Sequence, residues 1–467
     1  MSSDIPTPAA VARESGLNRA LTKSQIVMIG LGGAIGTGLF MGSGIAIGYA
    51  GPAVLISYAI AAAIVLVMVL SLSEMAVAHP TAGSFGVYAE IYIGEWAGFM
   101  VRYTYWFAQI IATGGEAVAA GLYMGFWFPE IPLFLWSVGF AAALVWINAR
   151  SVANFGSIEY WFALIKVVAI VAFIIFGLTY VFGLGVEPIG SRNLTELPGG
   201  FIPNGWGGVW FGLLVALFSF FGVELVAVTS GEAQNPEEAI PAALRSLALR
   251  LFLFYFLAIG IMVAITPWTQ AGATIVTQSP FVKLFEMSGV RHVAGLMNFV
   301  VITAALSSMN TNLYLASRML FSLGRGGYAP EFAGKLNAQG TPLKATLITG
   351  VALLPIALTS YLTAAAYNYL VGIAVFAGIL IWIIILICHM RFRKLSDPAS
   401  FTTRIPLFPI PQIIAIGLLS ALLITMAFDT QFWNVSWIFG VPWLIFLYAA
   451  YRIWRAFAGS RPADPHA

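Results

Sequence analysis

Residues 30–38 read Gly30-Leu31-Gly32-Gly33-Ala34-Ile35-Gly36-Thr37-Gly38, five glycines in nine positions inside an apolar stretch that runs from Ile26 to Ala50. Each glycine in a helix interior costs about 1 kcal/mol relative to alanine, so a continuous helix through this run is disfavoured. A second interruption, Ser219-Phe220-Phe221-Gly222, stands near the middle of the apolar stretch 207–230. A lone glycine in such a stretch often serves only to let two helices approach closely. A dense cluster matched by a second break five apolar stretches later points instead to two helices that unwind. Unwound backbone is not tolerated against lipid, but it can line a cavity where a polar solute satisfies its NH and carbonyl groups. The half-helix starting near Leu39 offers free NH groups and a positive dipole end to a carboxylate. The carbonyls ending the preceding segment suit an ammonium group. Two such cradles a few ångströms apart describe an α-amino acid or a similar zwitterion.

The remainder of the chain supplies the membrane. Apolar residues make up 60% of the 467 positions and charged residues 9%, against about 25% charged in soluble domains. A membrane-crossing helix takes roughly 20 apolar residues, which leaves room for about a dozen. The punctuation by Gly and Pro places twelve of them near 26–50, 52–78, 98–126, 132–149, 157–182, 207–230, 244–267, 292–323, 343–361, 364–389, 408–428 and 436–456. The longest loops expected are 79–97, 183–206 and 268–291. The first 24 residues are polar and flexible in character and lack the features of a cleaved signal peptide. The first apolar stretch is therefore expected to stay as an uncleaved helix. The single cysteine, Cys388, excludes an intrachain disulfide.

Positive charge sets the orientation. With the N-terminus cytoplasmic, only Arg192, Lys283 and Arg291 of the 22 Lys and Arg fall outside. Lys166 lies within a span and the other 18 fall inside. Both ends are therefore expected in the cytoplasm. Breaks in spans 1 and 6 imply two five-span repeats of opposite topology, followed by two extra helices. The expected organisation is a cytoplasmic tail (1–24), a first repeat (25–182), a second repeat (183–390), helices 11 and 12 (391–456) and a cytoplasmic tail (457–467).

Several stretches, read together and in order, resemble the amino acid–polyamine–organocation transporters, and among these the bacterial permeases for aromatic amino acids and γ-aminobutyrate. They are Gly32 to Phe40, Ser73-Glu74-Met75-Ala76 with Gly83 to Tyr88, Asn154-Phe155-Gly156 with Glu159 to Val167, Ser219 to Glu224, Glu232 to Pro236 with Ile240-Pro241, and Tyr314 to Leu320. The resemblance implies an all-α membrane protein of the broken-helix, five-plus-five inverted-repeat (LeuT-type) fold, alternating access, and usually proton-coupled uptake at the inner membrane. Ser157 departs from the acidic residue that family members often carry after Asn-Phe-Gly.

The expected substrate contacts are Ala34, Ile35, Gly36, Thr37, Gly38 and Leu39 in span 1, and Phe218, Ser219, Phe221 and Gly222 in span 6. Phe218 aligns with the aromatic that relatives use to cover substrate. Glu116, deep in span 3 after Thr113-Gly114-Gly115, is expected at the side-chain end of the pocket, and Asn310 is a candidate polar group there. Lys166, an intramembrane lysine that insertion scales penalise by roughly 3 kcal/mol, needs a reason to be there. By resemblance it matches the position whose ammonium sits against unwound span 1, where sodium sits in sodium-coupled relatives. A buried lysine can lose its proton, so Lys166 is a candidate coupling group. Glu224 is read either as a hinge clamp on freed backbone or as a proton site.

The expected partners are an amino acid, protons and the lipid bilayer, with no nucleic acid, cofactor or metal; nothing in the sequence sets an oligomeric state. His79, His292, His389 and His466 are scattered, and no nucleophile–base pair is visible. Sodium coupling (with Ser307 and Ser308 as oxygen donors), exchange, and more distantly a membrane-embedded enzyme are the alternatives.

Overall fold

The computed structural model describes residues 9–149, 152–184, 187–272, 281–282, 293–362, 366–395, 405–429 and 433–458. Among the described residues the chain is helical and carries no strand. The principal helices are α1 (Lys23–Ala34), α2 (Ser43–Ala50), α3 (Val54–Ala78), α4 (Ser84–Tyr92), α5 (Glu95–Met124), α6 (Leu133–Asn148), α7 (Val152–Phe182), α8 (Gly205–Phe220), α9 (Leu225–Val228), α10 (Pro236–Ile265), α11 (Val293–Arg325), α12 (Leu343–Ala357), α13 (Ala366–Leu395), α14 (Ile410–Phe428) and α15 (Val435–Ala458).

Their boundaries follow local chemistry. Thr22 caps α1 through a capping box: Gln25 NH donates to the Thr22 hydroxyl, and the Gln25 side chain accepts the Thr22 NH. Pro236 occupies the first turn of α10, where a missing NH is harmless, and Glu237 and Glu238 face the positive end of the dipole. Eight helical segments among the described residues are long and apolar enough to cross a membrane, and one of them, Lys23–Ala78, spans 56 residues. At 1.5 Å per residue this segment is far longer than one crossing of a ~30 Å hydrocarbon core. Leu133–Asn148 and Arg250–Ile265 are shorter apolar helices.

α5 and α11 lie along each other, with α13 packed on α5 and α1 and α7 on α11, while α3 and α10 pack against each other and reach this pair through α13 and through α1 and α7. Both expected interruptions are present in the backbone. Helix α1 stops at Ala34, and the chain resumes as a wide π-turn over Gly38–Gly42 that runs into α2. Helix α8 stops at Phe220, four non-helical residues follow, and α9 begins at Leu225.

Three expectations need correction. The stretch 79–97 is not a plain loop: it contains α4, which buries Phe85, Val87, Tyr88 and Ala89 against the bundle. The N-terminal segment is not flexible from Ala9 onward. Glu14 is only 4% exposed because Thr81, the Gly83 NH and Ser322 donate hydrogen bonds to its carboxylate, and Leu21 is fully buried. Helix α7 begins at Val152, five residues before the expected start, which puts Lys166 at the midpoint of a 31-residue helix. The expected loop 268–291 (apart from 268–272 and 281–282) and tail 457–467 (apart from 457–458) lie outside the described residues.

Candidate functional site

The two breaks meet. Gly222 has φ +100°, a conformation that suits glycine, and a Cβ there would stand 2.7 Å from the Gly33 carbonyl oxygen. The unwound backbone of the second break thus lies directly on that of the first. Tyr255 of α10 fastens them: its hydroxyl lies 2.7 Å from the Ala34 carbonyl and 2.6 Å from the Ser219 carbonyl. The Ser219 hydroxyl is 2.9 Å from the Gly38 carbonyl, and Tyr58 OH is 2.9 Å from the Ser219 hydroxyl. Carbonyls freed by unwinding are therefore paired with side chains, as burial requires.

Between the breaks, α5 and α13 lies a small cavity. Gly33, Ala34, Gly36, Gly38, Phe218, Phe221 and Gly222 line it, facing Tyr105, Gln109, Glu116, Glu224, Ser308 and Asn312. Of the expected contacts, Ile35, Leu39, Ser219 and Asn310 do not line it. Ile35 and Leu39 point into the packed core, and Ser219 is turned toward Gly38 and Tyr58. Asn310 is taken up elsewhere, donating to Glu159 at 3.1 Å and accepting from Asn148 at 2.7 Å. Thr37 borders a smaller adjoining void with Glu116 and Tyr367.

Glu116 brings one carboxylate oxygen to the Thr37 NH at 3.4 Å, while the other has no hydrogen-bond partner. Gln109 Oε1 is likewise unpartnered. Buried acceptors of this kind are costly unless something donates to them. Glu224 accepts from Tyr105 OH at 2.9 Å and from the Gly222 NH at 3.2 Å, so it clamps the second break while bordering the cavity.

Lys166 is fully buried behind the first break. Its ammonium donates to the Gly32 carbonyl, to the Ile35 carbonyl at 2.8 Å and to the Ser307 hydroxyl at 2.8 Å. Three oxygens around one cation satisfy a charge that lipid would otherwise exclude. Ser307 in turn donates to Glu159, a fully buried carboxylate whose place in the site the sequence reading did not identify. Tyr105, Gln109 and Ser308 were also unassigned to the pocket. Tyr105, Ala108, Gln109, Ala112 and Glu116 follow the 3–4 residue spacing of a single helix face, a signal present in the sequence. Among the described residues, no group of three or more His, Cys, Asp or Glu is placed to hold a metal ion.

Two interrupted helices crossing at a buried polar cavity, in an apolar helical bundle, define a membrane transport protein. The chain belongs to the amino acid permease family, whose profile matches residues 25–461. It is 39% identical over 421 residues to the γ-aminobutyric acid permease of Bacillus subtilis strain 168, covering 89% of each chain. It is 38% identical over 439 residues to the aromatic amino acid transport protein AroP of Salmonella typhimurium LT2, covering 93% of this chain and 95% of that protein. The uncharacterized amino acid permease YtnA of Bacillus subtilis is 37% identical over 444 residues, 93% of this chain and 94% of its own. These relatives are named as permeases and transport proteins, and the protein is not an enzyme.

Proposed function

We propose that this protein takes up an amino acid across the inner membrane by alternating access, driven by protons. The chain would cross twelve times as two inverted five-helix repeats (25–182 and 183–390) plus two helices, with both ends cytoplasmic. The observation that carries the reading is the contact of the two breaks, Gly222 on Gly33, beside a cavity lined by their backbone. Backbone around Ala34 to Leu39 and Phe218 to Gly222 holds the α-ammonium and α-carboxylate. Glu116 and Gln109 receive hydrogen-bond donors of the substrate, and Phe218 covers it.

Lys166 carries the coupling. Its ammonium occupies the carbonyls of the first break and Ser307, one of the two hydroxyls that sodium would need. That placement favours a proton over sodium, because a fixed ammonium repels a second cation at a few ångströms. Protonated, Lys166 ties α1 to α7 and α11. Deprotonated, it loses charge-assisted bonds to the break, and the inner half of span 1 is released. Glu224 holds the second break in shape and is the next candidate for the proton.

The test is uptake by purified protein in liposomes, screened over the twenty amino acids and γ-aminobutyrate. An inward pH gradient should drive accumulation, and a sodium gradient at equal pH should not. Sodium-driven uptake that ignores the pH gradient would overturn the coupling, and gradient-free exchange alone would reassign the protein as an exchanger.

A further inference from the structure

A lysine that gives up a proton inside a sealed protein needs an acceptor close by. Lys166 and Glu159 both lie on α7 and are both fully buried. Seven residues apart, they are two turns and roughly 10.5 Å along one face of the helix. Ser307 of α11 spans the gap: it accepts from the Lys166 ammonium at 2.8 Å and donates to Glu159 Oε1. The other carboxylate oxygen of Glu159 accepts from Asn310 at 3.1 Å, and Asn310 is held by Asn148 at 2.7 Å. Among the described residues no arginine, lysine or histidine forms an ion pair with Glu159. The Lys166 ammonium acts on Glu159 through space, one hydroxyl away, but a buried carboxylate with no direct ion pair is expensive to keep charged.

We propose that Glu159 is a second proton-binding site, loaded from Lys166 through the Ser307 hydroxyl. The inference rests on the proton-coupled reading of Lys166. In the step, an N–H bond of the ammonium breaks and its proton binds Ser307 Oγ. The O–H bond of Ser307 breaks together with it, and that proton binds Glu159 Oε1. The products are a neutral amine, an unchanged hydroxyl and a neutral carboxylic acid. Two opposite buried charges disappear at once, so the step is favoured by the same low dielectric that penalised them. Glu116, across the first break on α5, is the other ionisable group acting on Lys166; the groups around Glu159 on α6 and α11 are the neutral Asn148, Asn310 and Thr311.

The position of Glu159 also gives the proton a way out. On the side where α7 begins, Phe155 lies stacked on Tyr314 with ring centroids 4.2 Å apart and planes within 8°. Next to it, buried Leu21 closes against Gly156. Glu159 thus stands one turn behind this seal and is shut off while the seal is closed. When that end opens, the acid meets water and releases its proton there. Lys166, two turns deeper, never has to reach the surface.

The experiment uses full-length protein in liposomes, with Glu159→Gln and Ser307→Ala beside the unmodified protein. Substrate counterflow exchange, which needs no net proton movement, should persist in Glu159→Gln, and accumulation driven by a pH gradient should fall in Ser307→Ala as well. Accumulation driven by a pH gradient should fall by roughly a hundredfold in Glu159→Gln, within the range contributed by a positioned acid–base group. Infrared difference spectra on adding the best-transported amino acid should show a protonated-carboxyl band in the unmodified protein. That band should vanish in Glu159→Gln, survive in Glu116→Gln, and shift in Glu159→Asp, which serves if the glutamine variant does not fold. Full pH-driven accumulation in Glu159→Gln, or a band that survives it, overturns the proposal. Equal loss of binding, exchange and accumulation overturns it in favour of a scaffold role. If the unmodified protein itself ignores the pH gradient, it is the reading of Lys166 that has failed.

Discussion

The two ends of the bundle are built from different interactions. At the end where the chain begins lie all seven ion pairs found among the described residues, most of them in buried networks. Arg102 is fully buried between Glu90 at 2.8 Å and Glu14 at 4.0 Å, and Arg13 reaches the same Glu90 at 2.6 Å. Arg318 is paired with Glu232 at 2.9 Å, and Glu74 takes Arg393 and His389 together. At the opposite end no ion pair is found among the described residues, and the contacts there include aromatic packing and neutral hydrogen bonds. Phe281 packs against Phe40 and Phe173 at 5.2 and 4.6 Å, and Asn204 donates to the Gly48 and Tyr49 carbonyls. An ionic end is sharply directional, because its buried charges are stable only in one arrangement. An aromatic end can slide and repack at small cost. On the proposed alternating-access reading, the end where the chain begins is the more firmly closed of the two in this conformation, and the opposite end yields more easily.

The largest effect expected from breaking this asymmetry is at Arg318. Arg318→Ala leaves Glu232 buried and unpaired, a loss of about 3–5 kcal/mol, and should lower the thermal midpoint in detergent more than any single truncation at the opposite end. A smaller, conformational effect is expected at Glu14. Glu14→Ala removes the acceptor for Thr81 and the Gly83 NH, charge-assisted bonds worth about 1.5–3 kcal/mol each. A cysteine placed at buried Ala233 should then be labelled at least about tenfold faster, tenfold being 1.4 kcal/mol. Phe281→Ala should leave that labelling rate unchanged. Equal acceleration by both variants would erase the distinction between the ends.

The smallest effect is a pH dependence. Burial raises the Glu90 carboxyl, but the hydrogen bond from Arg13 and the charges of Arg102 and Arg13 outweigh it and hold the group below its ordinary 4.5. A depressed carboxyl contributes stability above that ordinary value and loses it as pH falls through the depressed one. The contribution is within about 1 kcal/mol because the pair is partly exposed. Labelling at residue 233 should therefore be flat at neutral pH and quicken only below 4.5. In Glu90→Gln that acid-dependent rise should be absent.

Much of this is legible in the sequence alone. Glycine density located the first break, because backbone cost depends on local sequence alone, and the charge pattern of the loops gave an orientation to test. Lys166 announced itself as a charge in the wrong solvent. What the chain did not disclose is what meets what. Glu159, Ser307 and Asn310 converge from two helices 148 and 151 residues apart in sequence, and no spacing rule foretells that. Tyr255 looks like any aromatic on an apolar helix until the two carbonyls it bridges are in place. Glu14 reads as a charge in a polar tail, and only its tertiary partners turn it into a lock. Helix α4 is hard to read from sequence because its nine residues are few and lie directly after a glycine, so turn signals outweigh a brief apolar pattern.

The central claim, that backbone at the meeting of two broken helices holds the substrate, is tested most directly at Gly36. A Cβ there would stand 2.8 Å from both Glu116 Oε1 and the Ser308 hydroxyl, in the wall of the cavity. The measurement is equilibrium binding of the best-transported amino acid to Gly36→Val, with monodispersity and thermal midpoint recorded alongside. The account predicts at least a hundredfold loss of affinity, about 2.7 kcal/mol, with the fold intact. Unchanged affinity in a well-folded Gly36→Val protein would contradict it.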